Sequence, residues 1–356
     1  MRKESLDFLK ELLSAPSPSG FESAGQRIWC RYARKYADEV RTDAYGNAVA
    51  VLNPGGDPKI MLDGHADEIG LMVKYIDDKG FIYFQPIGGV DPSVVRTKRV
   101  DIHAAKGIVR GVIGAKAHHL QDRTKEAKAP KMHECFIDIG AHDGKEARKK
   151  VSVGDPITFA ETCEMLDKNI MVARALDDRI GTWAAIEVLR LLSSSKNKLN
   201  CAVYASSSCQ EEVGLVGATM TVFNVKPDVA IALEVTHATD TPGIDAKQFG
   251  EVKMGSGPTI SIGREHHPVL VNRLQAVAET KKIKLQTEAF SLNSGTNAMA
   301  FHKAEGGIPS ALISVPNRYM HTTVEMIDLR DLQTAVNLLG AFCLDIKQGE
   351  RFKVKI

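Results

Sequence analysis

Five short polar clusters each follow an apolar, β-branched run: Gly64-His65-Ala66-Asp67-Glu68, Leu176-Asp177-Asp178-Arg179, Gln210-Glu211-Glu212-Val213-Gly214, Leu233-Glu234-Val235-Thr236-His237 and Tyr319-Met320-His321-Thr322. Together they hold two imidazoles and several carboxylates, the hard and borderline ligands that a pair of divalent cations takes. At strand ends of an α/β sheet such groups collect in the crevice where these folds carry their sites. The chemistry this predicts is hydrolysis by a water activated between two metals.

Each cluster has an ordinary explanation beside the chemical one. His65 and Asp67 stand two apart at the end of an extended run, so they project to the same side. One can bind a cation while the other orients the imidazole, or both can share the ion; alone, they are equally a surface or capping pair. Asp177 and Asp178 lie between the strand-like run Ile170 to Ala173 and a long amphipathic helix. Asp178 suits an N-cap, which leaves Asp177 free to bridge two ions and Arg179 to brace the loop. Adjacent Glu211 and Glu212 repel, and their pKa values rise unless a cation or a proton relieves them. That suggests one metal ligand and one general base, although two solvated glutamates also complement a helix start. Glu234 and His321 close apolar runs, where a surface glutamate and a loop histidine are unremarkable singly. Five such coincidences are harder to dismiss than one.

The elements that must position these groups follow from the pattern. The 356 residues carry 46 basic and 44 acidic side chains for a net charge of +2, with 44% hydrophobic residues. This is ordinary globular composition, with no charge excess to draw the chain to nucleic acid or anionic lipid. The amino terminus leads into an amphipathic helical pattern without an apolar stretch long enough for a leader or a span. Six scattered cysteines without C-x-x-C spacing read as reduced core thiols. A cytoplasmic protein is expected. Helical and strand patterns alternate over the first sixty residues. From about Ile69 short Gly-punctuated strands take over, among them Leu71 to Ile76, Phe81 to Phe84, Gly107 to Ile113, Phe136 to Ile139 and Pro156 to Phe159. After Asn169 the α/β rhythm returns. The expectation is a discontinuous α/β domain over 1–68 and 165–356, with a β-rich insertion over 69–164.

Taken in order, HADEIG, ALDDRIG, QEEVGLVGA, EVTHATDTPG and RYMHT, with FIDIGA and GDP inside the insertion, resemble metallopeptidase family forty-two of clan MH. These are the glutamyl and deblocking aminopeptidases, some under the older label endoglucanase, and the resemblance runs over essentially the whole chain. It implies a three-layer α/β/α hydrolase sandwich whose insertion is a PDZ-like or small β-barrel module making dimer contacts. Two divalent ions follow, zinc or cobalt before manganese. By resemblance Asp177 bridges them, His65 and Glu234 complete one site, and Glu212 and His321 complete the other. Glu211 is then the general base and Asp67 orients His65. The implied reaction is release of N-terminal residues from short peptides inside a homo-dodecamer built from dimers.

Two departures stand out. The family usually has Asp at the position of Glu234, and Gly-Thr-Asp-Ala in place of Gly295-Thr296-Asn297-Ala298. The second change bears on a substrate-binding segment, Gly295, Thr296 and Asn297. It keeps open an amidohydrolase or deacylase of N-acyl amino acids or sugars, and the first keeps open a metal-poor binding or structural homologue. A glycosidase needs two metal-free carboxylates flanking the bond, and here most candidates are committed to ions.

Overall fold

The computed structural model describes residues 1–120 and 130–356. An eleven-stranded mixed sheet forms its main layer. At its centre the strands Ala202–Ser208, Lys59–His65, Val229–His237 and Ser310–Arg318 lie side by side and parallel. They read as near-continuous apolar runs because a parallel strand is covered on both faces. Alternation divides each strand between two cores. Ile60 and Leu62 join Ile231 and Leu233 under one helical layer, while Met61 joins Ala230, Ala232 and Leu312 under the other. The first layer holds the helices Lys3–Ser14, Ser23–Ala33, Leu176–Ser193, Pro268–Thr280 and Leu329–Asp345; the second holds Val216–Val225 and Ala298–Phe301. This is the expected three-layer sandwich.

The helix Leu176–Ser193 is buried on almost every side, with Trp183, Ile186 and Leu189 fully enclosed. Each such side chain contributes about 1.5–3 kcal/mol by leaving water. Two glycines permit its close approach to the sheet. A Cβ on Gly64 would come within 2.3 Å of the Gly181 carbonyl carbon, and one on Gly181 within 2.3 Å of the Leu233 oxygen. The helix start is thereby pressed against the strand that ends in His65.

The insertion is a closed barrel of six antiparallel strands, in the order Gly70–Ile76, Ile82–Ile87, Ile137–Asp138, Gly107–Ile113, Arg99–Ala104 and Pro156–Phe159. Leu71, Val73, Ile82, Phe84, Val100, Ile102 and Ile157 fill it as a separate core. Closure leaves no exposed strand edge, which is how a small β module protects itself from pairing with other chains. Of the two shapes expected, the barrel is the one adopted. The strand Arg99–Ala104 has no apolar run in the sequence because Arg99, Asp101 and His103 alternate with its inward Val100 and Ile102.

Candidate metal centre

Four central strands deliver four of the polar clusters, and the start of the helix Leu176–Ser193 the fifth, to one end of the parallel strands, around a cavity of about 770 Å³. His65 ends its strand with the ring buried and Nε2 pointing at three carboxylates: Asp177 Oδ1 at 3.1 Å, Glu234 Oε2 at 3.7 Å and Glu211 Oε2 at 3.8 Å. His321 presents Nε2 to Asp177 Oδ2 and Glu212 Oε1, both at 3.4 Å. Asp177 thus stands between the two imidazoles, one oxygen toward each. The ligand atoms of His65, Asp177 and Glu212, and those of His65, Asp178 and Glu234, fall within 4.8 Å of one another.

Both rings are oriented through the other nitrogen. His65 Nδ1 faces the Asp67 carbonyl at 3.2 Å and its Oδ1 at 3.3 Å; His321 Nδ1 faces the Gly89 carbonyl at 3.0 Å. These acceptors hold Nδ1 as the N–H side of each ring, so that Nε2 is the nitrogen turned to the carboxylates and the one that would serve a metal as lone-pair donor. Asp67 does more than hold His65. Its carboxylate accepts the Ser19 hydroxyl at 2.7 Å and the backbone N–H groups of Glu211 and Glu212 at 2.9 and 3.1 Å. One carboxylate therefore sets both an imidazole and the pair of glutamates.

The electrostatics call for cations. Burial raises Glu211 to about 8, helped by Glu212, Asp177 and Asp67, and burial also raises Glu212 and Glu234. The imidazoles answer in the opposite direction. Hydrogen bonds to Asp177 and Glu212 push His321 up to about 11, and His65 rises despite burial because Glu211, Asp177 and Asp67 surround it. Asp177 is held below the usual carboxylate range in spite of burial by the same two histidines. A crowd of buried carboxylates that draws protons onto its histidines is one that divalent ions would neutralise. Imidazole with carboxylate suits zinc, cobalt and manganese, so the donor set fits the implied group.

The expectation of Asp178 as a helix cap is met: its Oδ1 accepts the Gly181 N–H at 3.0 Å, while Oδ2 accepts the His65 N–H at 3.1 Å. Arg179 braces the loop, donating to Glu68 and to the Leu12 carbonyl, both at 2.6 Å. Glu234, with its extra methylene, still brings its carboxylate into the cluster. Gly295 and Thr296 line the cavity, but Asn297 does not. Its amide is fully buried behind the wall, donating to Asp63 Oδ2 at 2.8 Å and Ser208 Oγ at 3.0 Å, and its backbone N–H faces Glu234 Oε1 at 3.4 Å. Asn297 supports the buried Asp63 carboxylate, which Ser206 and Ser208 also reach at 2.5 and 3.0 Å.

Several positioning residues carry no local signal in the sequence. Glu325 is buried and accepts the N–H of His321 at 3.0 Å and of Asp177 at 3.1 Å, tying the two segments together. The barrel contributes as well, since Gly89 carries the carbonyl that orients His321. A Cβ there would sit 2.9 Å from the ring, so glycine is required. Ala175, Gln210, Tyr319 and His321 all take left-handed backbone conformations beside the cluster, a cost that surrounding structure must sustain and that concentrates at functional sites.

Comparison with known proteins agrees with this geometry. The model of the M42 glutamyl aminopeptidase family matches residues 46–338. The lysyl aminopeptidase of Pyrococcus furiosus is 33% identical over 344 residues, covering 96% of this chain and 97% of its own. Among solved structures, a TET aminopeptidase from the marine sediment archaeon Thaumarchaeota archaeon SCGC AB-539-E09 superposes with a TM-score of 0.92 at 34% identity, covering 96% of both chains. The TET1 peptidase of Pyrococcus horikoshii, which can assemble into a tetrahedron or a large octahedral shell, gives 0.85 at 30% identity over 96% of this chain and 100% of that one. With the family model matched over residues 46–338 and the fold shared over nearly the whole length of these relatives, this chain belongs to the M42 family of aminopeptidases.

Proposed function

We propose that the chain is a dinuclear metallo-aminopeptidase that releases N-terminal residues from short peptides, with Asp177 bridging two ions. His65 and Glu234 would hold the first ion and Glu212 and His321 the second. The observation that carries this reading is the placement of Asp177, whose two oxygens face the two Nε2 atoms at 3.1 and 3.4 Å. When bound, the divalent cations, zinc or cobalt before manganese, supply Lewis acidity to the scissile carbonyl and acidify a water. Glu211 is not needed as a ligand. Its carboxylate, with Oε2 3.8 Å from His65 Nε2 at the edge of the ligand cluster, is placed to accept a proton from that water and to return it to the leaving amine. Asp67 keeps Glu211 in reach through the backbone N–H and keeps His65 in its Nδ1–H tautomer.

Two observations favour this reading over the alternatives. The deacylase, in which the same activated water would cleave another amide, drew on Asn297 in place of Asp, and that side chain lies behind the wall. The metal-poor homologue rested on Glu234 failing to reach, and its Oε2 is 3.7 Å from His65 Nε2. Self-association into a homo-dodecamer built from dimers, which would shut the site away from folded proteins, is supported by the shell-forming relative at 30% identity. The exposed Tyr75, Ile108 and Val112 of the barrel are suited to the dimer contact. A cytoplasmic setting is supported by six free cysteines, five of them buried, and no described helix is long and apolar enough to cross a membrane.

The test is Glu211→Gln on the metal-loaded full chain with unblocked and N-acylated aminoacyl substrates. The reading expects retained metal and a turnover loss of about 100-fold or more on unblocked substrates, with acylated ones untouched. Wild-type turnover in the variant, or cleavage confined to acylated substrates, would contradict it.

A further inference from the structure

Among the described residues, the wall of the cavity beyond the ligand cluster carries no formal charge. Leu215, Val235, Phe290, Met299, Leu312 and Met320 give it an apolar character, and the rest is glycine, hydroxyl side chains and the exposed His237. No Lys or Arg lines it among the described residues, and its four carboxylates, Asp177, Glu211, Glu212 and Glu234, all belong to the cluster. Those four face the proposed ions, and among the described residues no other Asp, Glu, Lys or Arg lines the cavity to recognise a charged side chain.

Two further carboxylates stand behind the wall, and both are turned to other work. Glu288 accepts the hydroxyls of Thr236 at 2.6 Å and Thr259 at 2.8 Å. Glu265 takes the hydroxyl and the N–H of Ser294 on one oxygen, at 2.5 and 3.1 Å. Its other oxygen has no partner and is buried, and the residue does not reach the cavity. A lysine-directed pocket would have to present one of these oxygens to the substrate, and a glutamate-directed one would need a cation that the wall lacks. Through its hydroxyl and N–H contacts Glu265 acts as a positioning residue instead, anchoring the Ser294 to Thr296 segment of the wall.

We propose that this cavity selects peptides with an uncharged, apolar N-terminal residue, such as leucine or methionine, over glutamyl and lysyl peptides. The proposal rests on the aminopeptidase reading above. Burial of an aliphatic side chain in an apolar pocket discriminates by about 10- to 200-fold per group recognised, while a charged side chain placed there loses its hydration without a partner.

The experiment compares kcat/KM of the metal-loaded full chain on leucyl, methionyl, glutamyl and lysyl p-nitroanilides. A preference of at least about tenfold for the apolar pair is expected. Met299→Lys, which sets a cation into the wall, should shift the glutamyl-to-leucyl ratio upward by about tenfold or more. A second readout needs no turnover: calorimetric titration of free L-leucine, L-glutamate and L-lysine into the metal-loaded protein, with leucine binding tightest. Glutamyl or lysyl substrates turned over as well as leucyl ones would overturn the proposal, as would tighter binding of the charged amino acids. No turnover on any substrate with leucine still binding best would sink the aminopeptidase reading and leave the apolar selection standing.

Discussion

Asn297→Asp puts a second carboxylate against Asp63, with both groups fully buried and the facing atoms 2.8 Å apart. At an effective dielectric of about 20, two charges at that separation repel by roughly 6 kcal/mol. Proton uptake and relaxation relieve part of this, so the expected loss of stability is about 3–5 kcal/mol, as for other buried charges left without a partner. Asp63→Asn alone keeps the shape and the acceptor for Ser206 but turns two amide NH₂ groups toward each other. It is expected to cost about 1–3 kcal/mol. The exchange Asp63→Asn with Asn297→Asp restores one carboxylate facing one amide across the same gap, and should recover at least about 2 kcal/mol of the larger loss. The assay is equilibrium urea unfolding of the metal-free protein for wild type, both single variants and the double. Additivity of the two single losses to within about 0.5 kcal/mol would refute the pairing and with it the supporting role assigned to Asn297.

Two further outcomes concern buried carboxylates near the site. Burial lifts Glu22 to about 7 from an ordinary value of 4.5, although it accepts N–H groups from Gly20 at 2.7 Å and Gln210 at 3.1 Å. A carboxyl whose folded pKa is raised binds more protons folded than unfolded, so stability falls as pH climbs from about 4.5 through 7. Glu22→Gln keeps the acceptor and should gain up to about 3 kcal/mol at pH 8 while flattening that slope; urea melts at pH 5 and pH 8 with an unchanged slope would count against it. Glu68 is buried between Arg174 and Arg179, with the second at 2.6 Å, and the guanidinium pair holds its carboxyl below the usual range despite burial. Glu68→Gln leaves two buried cations short of a counter-charge and should cost about 3–5 kcal/mol in the same melts; a loss under about 1 kcal/mol, the size of an exposed pair, would show the triad to be solvated.

The ligand residues were legible because chemistry at a strand end leaves a local mark: an apolar run, buried on both faces, that stops at His65, Glu234 or just short of Glu211. The helix start at Asp177 and Asp178 was legible for a similar reason, since Asp beside an amphipathic pattern is a capping signal. What escaped notice was set by contacts distant in sequence. Glu325 reaches Asp177 across 148 positions, and Asn297 reaches Asp63 across 234. Neither has a neighbour that distinguishes it from a surface polar residue. Gly89 belongs to the barrel, and its contact with His321 exists only once the barrel is seated on the sheet. The run Ser206-Ser207-Ser208 inside a buried strand was the one readable hint of a polar group beneath the site, because hydroxyls enclosed in a core imply a partner to satisfy them.

The central claim, that Asp177 bridges two ions held on either side by His65 with Glu234 and by Glu212 with His321, is tested most directly by metal stoichiometry. The full chain would be loaded with zinc, freed of excess, and measured by elemental mass spectrometry beside His321→Ala and Asp177→Ala. The account expects about two ions per chain in the wild type, about one in His321→Ala and close to none in Asp177→Ala. A wild type that holds one ion or none, or an Asp177→Ala variant that keeps both, would contradict it.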